Sequence, residues 1–132
     1  MAIIRLSEAQ ANRMNRIPKI SIPELYFKRQ LDDNKIIHAQ QAKLIPDRKY
    51  VYDFFLPDQN VVIEIQGGTF ARGKSAHNSG TGIRRDCWKT NIAQLYGFVV
   101  FNFTTDMVMD KTAITFLLSY MTGDKKLIKE FK

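Results

Sequence analysis

The sequence contains a single cysteine, Cys87, among 132 residues. One thiol excludes an internal disulfide and is typical of proteins in a reducing compartment. Long apolar runs are also absent, since no stretch approaches the roughly 18 residues that a membrane-spanning helix needs. The amino-terminal stretch MAIIRLSEAQANRM turns polar too early to contain the apolar region of a signal peptide, so we expect a cytoplasmic protein.

No internal repeat, linker or low-complexity segment interrupts the chain. A length of 132 residues suits one domain, and a hydrophobic content of 45% is enough to fill its core. We therefore expect residues 1–132 to form a single domain.

Acidic residues are in the minority, because 13 Asp and Glu stand against 20 Lys and Arg, for a net charge of +7. An anionic partner is expected, and nucleic acid is the first candidate because the basic residues are spread along a globular chain. A basic, solvated surface without a partner explains the charge equally well.

Two carboxylates lie on what the pattern predicts to be neighbouring strands. Residues 50–56 are rich in aromatic and β-branched side chains, and residues 61–65 form an apolar run interrupted only by Glu64. The turn-forming residues 57–60 connect them, which predicts an antiparallel hairpin. Asp53 and Glu64 can then face the same side, where two close carboxylates in an apolar setting favour a divalent metal.

Three helices and two further strands complete the prediction. A helix starts at Ser21 or Ile22 and runs to about Asp32, and residues 83–96 form the clearest helix, ending at Gly97. We expect Leu25, Phe27 and Leu31 to form the apolar face of the first helix, and the packed face of the second to comprise Trp88, Ile92, Leu95 and Tyr96. The remaining elements are an irregular strand over residues 36–45, a buried strand over 98–103 and a closing helix over 112–121.

A glycine-rich loop over residues 67–82 also contains Arg72, Lys74 and His77. Loops of this length are either functional or disordered, and its cations can meet phosphates or simply face solvent. The other histidine, His38, is expected at the surface or across a strand, because no second histidine or cysteine lies at metal-ligand spacing from it.

The residues of the hairpin carry a family resemblance. Asp53 followed by Glu64-Ile65-Gln66 resembles the Asp…Glu-x-Lys signature of the PD-(D/E)XK nuclease superfamily, with glutamine in place of the usual lysine. The GGTF stretch at residues 67–70, His77, the RRDCWKTN stretch at residues 84–91 and the GFVV stretch at residues 97–100 are similar to a small, often phage-borne branch. That branch is related in plan to very-short-patch mismatch endonucleases.

The resemblance implies an α/β fold: a restriction-endonuclease-like three-layer sandwich with an αβββαβ core and an added C-terminal helix. It also implies a cytoplasmic protein of a bacterial cell or a phage-infected host. Asp53, Glu64 and the Ile65 carbonyl would bind Mg²⁺ or Mn²⁺. By the same resemblance His77 would move protons. We also expect the loop cations Arg72 and Lys74, together with Arg84 and Arg85, to contact nucleic acid.

Two site residues, Glu24 and Lys89, keep two interpretations each. By the resemblance Glu24 would join the metal site; alternatively it stabilises the amino terminus of the first helix. Gln66 can orient the attacking water but has no charge, so Lys89 is our candidate for the missing cation; alternatively Lys89 pairs with Asp86 within its helix.

We consider three functions at this point. The first is a metal-dependent endonuclease that hydrolyses phosphodiester bonds, with DNA as the expected substrate. The second is a nuclease-fold module that binds nucleic acid without cutting it, because Gln66 has replaced the lysine. The third, an adaptor with incidental carboxylates, ranks last, since two buried unpaired carboxylates are costly. Many nucleases of this size work as homodimers, but no interface signature is evident in the sequence.

Overall fold

A computed structural model describes residues 20–66 and 80–128. Within these ranges four α-helices and four strands follow one another in the order αβββαβαα, with a short 3-10 helix at the end. Their bounds are α1 Ile22–Asp33, β1 Ala39–Ala42, β2 Tyr52–Leu56, β3 Val61–Gln66, α2 Gly80–Leu95, β4 Val99–Thr104, α3 Thr105–Met109, α4 Thr112–Thr122 and the 3-10 helix Lys125–Leu127. In that part of the chain no helix is both long and apolar enough to cross a membrane.

The strands form one mixed sheet in the order β1-β2-β3-β4. The first three pair antiparallel, as expected for a meander, and β4 pairs parallel to β3. A parallel pair requires a crossover connection, and α2 provides it. The sheet and its order confirm the predicted α/β architecture with its αβββαβ core.

Helices cover both faces of the sheet. One buried cluster joins Phe27 of α1 to Phe54, Ile63 and residues of α3 and α4, such as Leu117. A second cluster, on the other face, joins Val62 to Ile92 and Ala93 of α2. Because β-strand side chains alternate between faces, neighbouring residues of β3 serve different layers, and the result is the expected three-layer sandwich.

The β2–β3 turn is fixed to the start of β4. Asn60 adopts a left-handed conformation with φ 57°, which asparagine tolerates at little cost. Its side-chain Nδ2 donates to the carbonyl of Gly97 at 2.8 Å. Gly97 itself has φ 90°, as predicted for the residue that ends α2. The hairpin and β4 are thereby held in register.

The side-chain alternation of β2 is interrupted at Asp53. Tyr52 and Phe54 should share a face, yet Tyr52 packs with α2 and Phe54 packs with α1. On β1, Gln41 lies at the same level of the sheet, between the Gln40–Phe54 and Ala42–Tyr52 pairs, and has φ 50°. Asp53 therefore lies at a local irregularity of the sheet.

The predicted apolar faces of two helices need correction. Leu25 of α1 is 51% exposed, and the helix buries Phe27 and Leu31 instead. In α2 the exposed fractions of Trp88, Leu95 and Tyr96 are 53%, 81% and 54%, and of the predicted face only Ile92 is buried. The inward stripe of α2 runs through Gly82, Asp86, Lys89 and Ala93, at spacings of four, three and four residues, with Ile92 beside it.

That stripe explains the error in α2. Small and polar residues dominate it, so a search for large apolar side chains selects a neighbouring face of the helix. The strand predicted over residues 36–45 is also shorter than expected, since only residues 39–42 are paired. The five-residue helix α3 was not predicted, because it is too short to show a hydrophobic period.

Candidate active site

Asp53 and Glu64 lie side by side on β2 and β3. Each carboxylate accepts a hydrogen bond from the backbone of the other strand: the Ile65 N–H donates to Asp53 Oδ2 at 2.7 Å, and the Asp53 N–H donates to Glu64 Oε1 at 2.9 Å. The antiparallel register, which pairs Phe54 with Ile63, places the two residues at the same level. The structure therefore brings this predicted pair together.

Lys89 of α2 completes a charged group with the pair. Its Nζ donates to Glu64 Oε2 at 3.1 Å and also donates to the Val51 carbonyl. The side chains of Lys89 and Glu64 are only 20% and 14% exposed. The ammonium is therefore held between the Glu64 carboxylate of β3 and the backbone just before β2.

Tyr52 holds Lys89 at two points. The Tyr52 hydroxyl donates to the Lys89 carbonyl at 2.8 Å, and the Lys89 Nζ lies 4.7 Å from the centre of the Tyr52 ring. A cation over an aromatic face is stabilised by the ring quadrupole, more strongly when partly desolvated. One buried side chain thus fixes both the backbone and the charge of Lys89.

Glu24, in the first turn of α1, faces the same region. Its Oε1 accepts from the Ser21 hydroxyl at 3.2 Å, and its Oε2 accepts from Gln41 Nε2 at 3.0 Å. Ser21 also caps the helix by accepting from the Glu24 N–H. Burial raises the pKa of Glu24, and the negative charge of Asp53 raises it further. Glu24 therefore serves the helix terminus and also interacts electrostatically with Asp53.

Burial is the main reason why both carboxylates of the pair have raised pKa values. It raises the pKa of Asp53, while the bond from Ile65 and the charge of Lys89 oppose the rise. The pKa of Glu64 is raised to about 7 by burial and by the charge of Asp53, again against Lys89. Burial and the charge of Glu64 raise the pKa of Tyr52 to about 12, so its hydroxyl remains a neutral donor.

Gln66 ends β3 beside the site. Its Nε2 donates to Asn102 Oδ1 of β4 at 3.2 Å. The parallel register places Glu64 opposite Asn102 and Gln66 opposite Thr104. The glutamine that replaces the usual lysine is therefore involved in a contact to the neighbouring strand.

The donor chemistry of the pair fits a hard divalent cation. Asp53 and Glu64 are partly buried carboxylates with raised pKa values, and a nearby positive charge would stabilise their ionised forms. Carboxylate oxygens are also the ligands that Mg²⁺ and Mn²⁺ prefer. Over residues 20–66 and 80–128, no group of three or more His, Cys, Asp or Glu side chains has an arrangement that would hold a metal ion.

The remaining predicted residues divide into two sets. Arg84 and Arg85 are exposed on the first half of α2. Arg72, Lys74 and His77 lie outside the described residues. His38 has a largely buried side chain, bonds to the Ile36 carbonyl at 2.9 Å and lies 3.7 Å from Asp32, consistent with a structural role.

Two site residues were missed by the sequence analysis. Tyr52 was interpreted only as a strand aromatic, although its position next to Asp53 was a usable signal. Gln41 has no distinguishing pattern, because its bond to Glu24 joins two elements that are 17 residues apart. Contacts of this kind become visible only in the assembled fold.

The fold of this chain is similar to that of a known nuclease domain. No protein-family model matches the chain, and no curated protein matches it. Among solved structures, the catalytic domain of the homing endonuclease I-Bth0305I is similar, with a TM-score of 0.59 and 18% sequence identity. The match covers 78% of this chain and 96% of that domain. At this identity the likeness shows that the two chains share a fold.

Proposed function

We propose that this protein is a divalent-metal-dependent endonuclease of the PD-(D/E)XK type, with DNA as its substrate. The observation that carries the proposal is the partly buried Asp53–Glu64 pair with Lys89 bonded to Glu64 at 3.1 Å. The similar fold belongs to a domain described as the catalytic domain of a homing endonuclease, which supports the same class of reaction.

Asp53, Glu64 and the backbone carbonyl of Ile65 would hold Mg²⁺ or Mn²⁺. Such a cation, when bound, lowers the pKa of a water and offsets charge on the phosphate. The two backbone bonds that link Asp53 and Glu64 fix the position of both carboxylates before any ligand arrives. Preorganised oxygen atoms reduce the cost of ordering the site on binding.

Lys89 provides the fixed positive charge that Gln66 does not. Its ammonium is oriented by Glu64, Val51 and Tyr52, so an N–H group can be directed at a phosphate oxygen without reorganisation. The Gln66 amide can orient the attacking water by hydrogen bonding. Lys89 and Gln66 would thus share the two roles of the usual lysine, the charge and the orientation of the water.

Glu24 is suited to accept a proton or to position the water. Its carboxylate is held by Ser21 and Gln41, and its pKa is raised by burial and by Asp53. A base with a raised pKa is better matched to neutral conditions. The proposed proton transfer by His77, and phosphate contacts by Arg72, Lys74, Arg84 and Arg85, remain predictions.

A second candidate is a module that binds nucleic acid without cutting it. The observation in its favour is that Gln66 carries no charge and is bonded to Asn102. In that case Asp53 and Glu64 would retain the metal, and the basic surface would retain the nucleic acid. The two candidates differ only in whether strand scission occurs.

The deciding experiment is incubation with duplex, single-stranded and branched DNA, in Mn²⁺, in Mg²⁺ and in EDTA. We expect scission only with metal, and none with the variant Asp53→Asn. Asp58→Asn is the matched control, because Asp58 is an exposed residue in the turn at the other end of the hairpin. Metal-dependent binding without scission would favour the second candidate, and neither binding nor scission would exclude both.

A further inference from the structure

We propose that the loop between β1 and β2, residues 43–50, binds the phosphate backbone of the nucleic acid beside the scissile bond. The inference rests on the proposed function for the location of the scissile phosphate. It adds the surface along which the substrate lies.

The loop is located at the end of the sheet that carries the site. It leaves β1 after Ala42 and enters β2 at Tyr52, one residue before Asp53. Because β3 is antiparallel to β2, the last residues of β3, Glu64 to Gln66, lie at the same end. A nucleic acid bound at Asp53 and Glu64 would therefore lie at the same end of the sheet as this loop.

Buried side chains attach the loop to the core. Ile45 is only 4% exposed and belongs to the cluster of Tyr52, Val62, Ile92 and Ala93, with Leu44 and Tyr50 packed against it. Asp47 adopts φ 63° in the turn that follows Ile45. Since the backbone is already held by packing, little ordering is needed when a partner binds.

Three exposed cations project from this anchored loop: Lys43, Arg48 and Lys49. The Arg48 guanidinium lies over the Tyr50 ring, 5.7 Å from its centre, two residues before Tyr52. Among the residues that the structure describes, none of the three forms an ion pair with a carboxylate. Lys28, by contrast, is paired with Asp32 at 2.8 Å.

The chemistry of the surface fits a polyanion. The loop has one acidic residue, Asp47, against the three cations, so its net charge is +2. Lys and Arg side chains that neutralise phosphates release condensed counterions, which gives binding a steep dependence on salt. Cations at a fixed location beside a phosphodiester site also set the register of the substrate without reading its sequence.

The test compares two triple variants that have the same net charge. The first is Lys43→Gln, Arg48→Gln, Lys49→Gln. The control is Lys111→Gln, Lys125→Gln, Lys126→Gln, which changes three exposed lysines on or next to α4 and the 3-10 helix. Binding to a short fluorescent DNA duplex is followed by anisotropy in EDTA between about 50 and 200 mM salt.

For the loop variant, we expect the magnitude of the slope of log K against log salt to decrease by about 0.9 for each cation that contacts phosphate. The total decrease is about 2.7 if all three cations do so. The control should retain the parental slope. An unchanged slope in the loop variant would overturn the inference, as would an equal loss in the control. The inference would also be overturned if the loop variant bound the duplex like the parent but no longer bound phosphatidylserine vesicles, because the loop would then be assigned to a membrane surface.

Cleavage of the same duplex, measured in parallel with Mn²⁺, separates this inference from the proposed function. If the parent protein cleaves but the loop variant retains its salt slope, only the inference fails. If the parent does not cleave but the loop variant loses slope, the proposed endonuclease activity fails and the binding surface stands.

Discussion

The Nζ atom of Lys89 lies 3.1 Å from Oε2 of Glu64, although 25 residues separate the two in the chain. The same ammonium group bonds to Val51 and lies over the Tyr52 ring. A separation well beyond 10 Å would have ruled out a shared role, since charges at that distance are largely screened in water. The ammonium of Lys89 is therefore close enough to Glu64 to act in the same site, and its chemical role is open to direct test.

Lys89→Ala should reduce cleavage roughly a hundredfold or more, the scale observed when one preorganised electrostatic donor is lost. The reason is that the phosphate would lose its fixed cation, while Gln66 has no charge to replace it. The measurement is the single-turnover cleavage rate, with Lys126→Ala as the control because Lys126 is exposed on the 3-10 helix. Cleavage at the parental rate by Lys89→Ala would return Lys89 to a structural role.

Adding Gln66→Lys to Lys89→Ala should recover part of the activity. A lysine at residue 66 would approach from the end of β3, next to Glu64, and restore a cation near the site. The same double variant should therefore cleave faster than Lys89→Ala alone. No gain over the single variant would indicate that position 66 cannot direct a charge at the phosphate.

Divalent metal binding should depend on the carboxylate pair. Isothermal titration calorimetry with Mn²⁺ should detect binding to the parent protein and none to the double variant Asp53→Asn, Glu64→Gln. The amide groups keep the shape of the side chains but remove the negative charge that a hard cation requires. Equal affinity in the two proteins would place the metal elsewhere or remove it from the proposal.

Tyr52→Phe should slow cleavage about five- to tenfold, which corresponds to about 1 kcal/mol for one hydrogen bond. The ring would remain, but the anchor from its hydroxyl to the Lys89 carbonyl would be lost. We expect kcat to fall while the Kd for DNA is unchanged. Reductive methylation of Lys89, followed by mass spectrometry, should be faster in this variant.

Tyr120→Phe is the matched control for Tyr52. Tyr120 lies on α4, is 44% exposed and packs against Phe101, on the opposite face of the sheet from α2. Removal of its hydroxyl should alter neither kcat nor the reactivity of Lys89. If Tyr52→Phe matched the parent in both measurements, Tyr52 would have no positioning role.

The stability of the metal-free protein should fall as pH rises from about 4.5 to about 7. The pKa of Glu64 is raised from 4.5 to about 7 in the folded state, so the folded protein binds the proton more tightly than the unfolded chain. The stabilisation that Glu64 provides is fully present below its pKa in the unfolded chain. It is lost as pH rises through its pKa in the folded protein. The raised pKa values of Asp53 and Glu24 act in the same direction.

Urea denaturation in EDTA across this range measures the effect. Glu64→Gln should make the fall of the unfolding free energy with pH less steep, because the amide at residue 64 has no titrating proton. Asp58→Asn should leave this fall unchanged. The pKa values of Asp32 and Asp110 are lowered, by bonds from Lys28 and Thr112, so their contribution is lost only in more acidic solution. An identical decline in Glu64→Gln would assign the pH dependence to other groups.

Local sequence determined most of the individual elements. Ser21 and Pro23 specify the start of α1, residues 57–60 specify the hairpin turn, and Gly97 ends α2. The pairing of Asp53 with Glu64 also followed from sequence, because a short turn fixes the register of the strands it joins. These features depend on residues that are close in the chain, so a local pattern is sufficient to predict them.

Only the tertiary structure decided which face of α2 meets the sheet. The inward stripe contains Gly82, Lys89 and Ala93, and the large side chains Trp88 and Leu95 remain exposed. A hydrophobic period identifies the packed face of a helix only when that face is mainly apolar. In α2 the packed face includes Lys89, whose ammonium bonds to Glu64 in the site. The bonds of Tyr52 to Lys89 and of Gln41 to Glu24 follow from packing between elements, which no pattern within one element encodes.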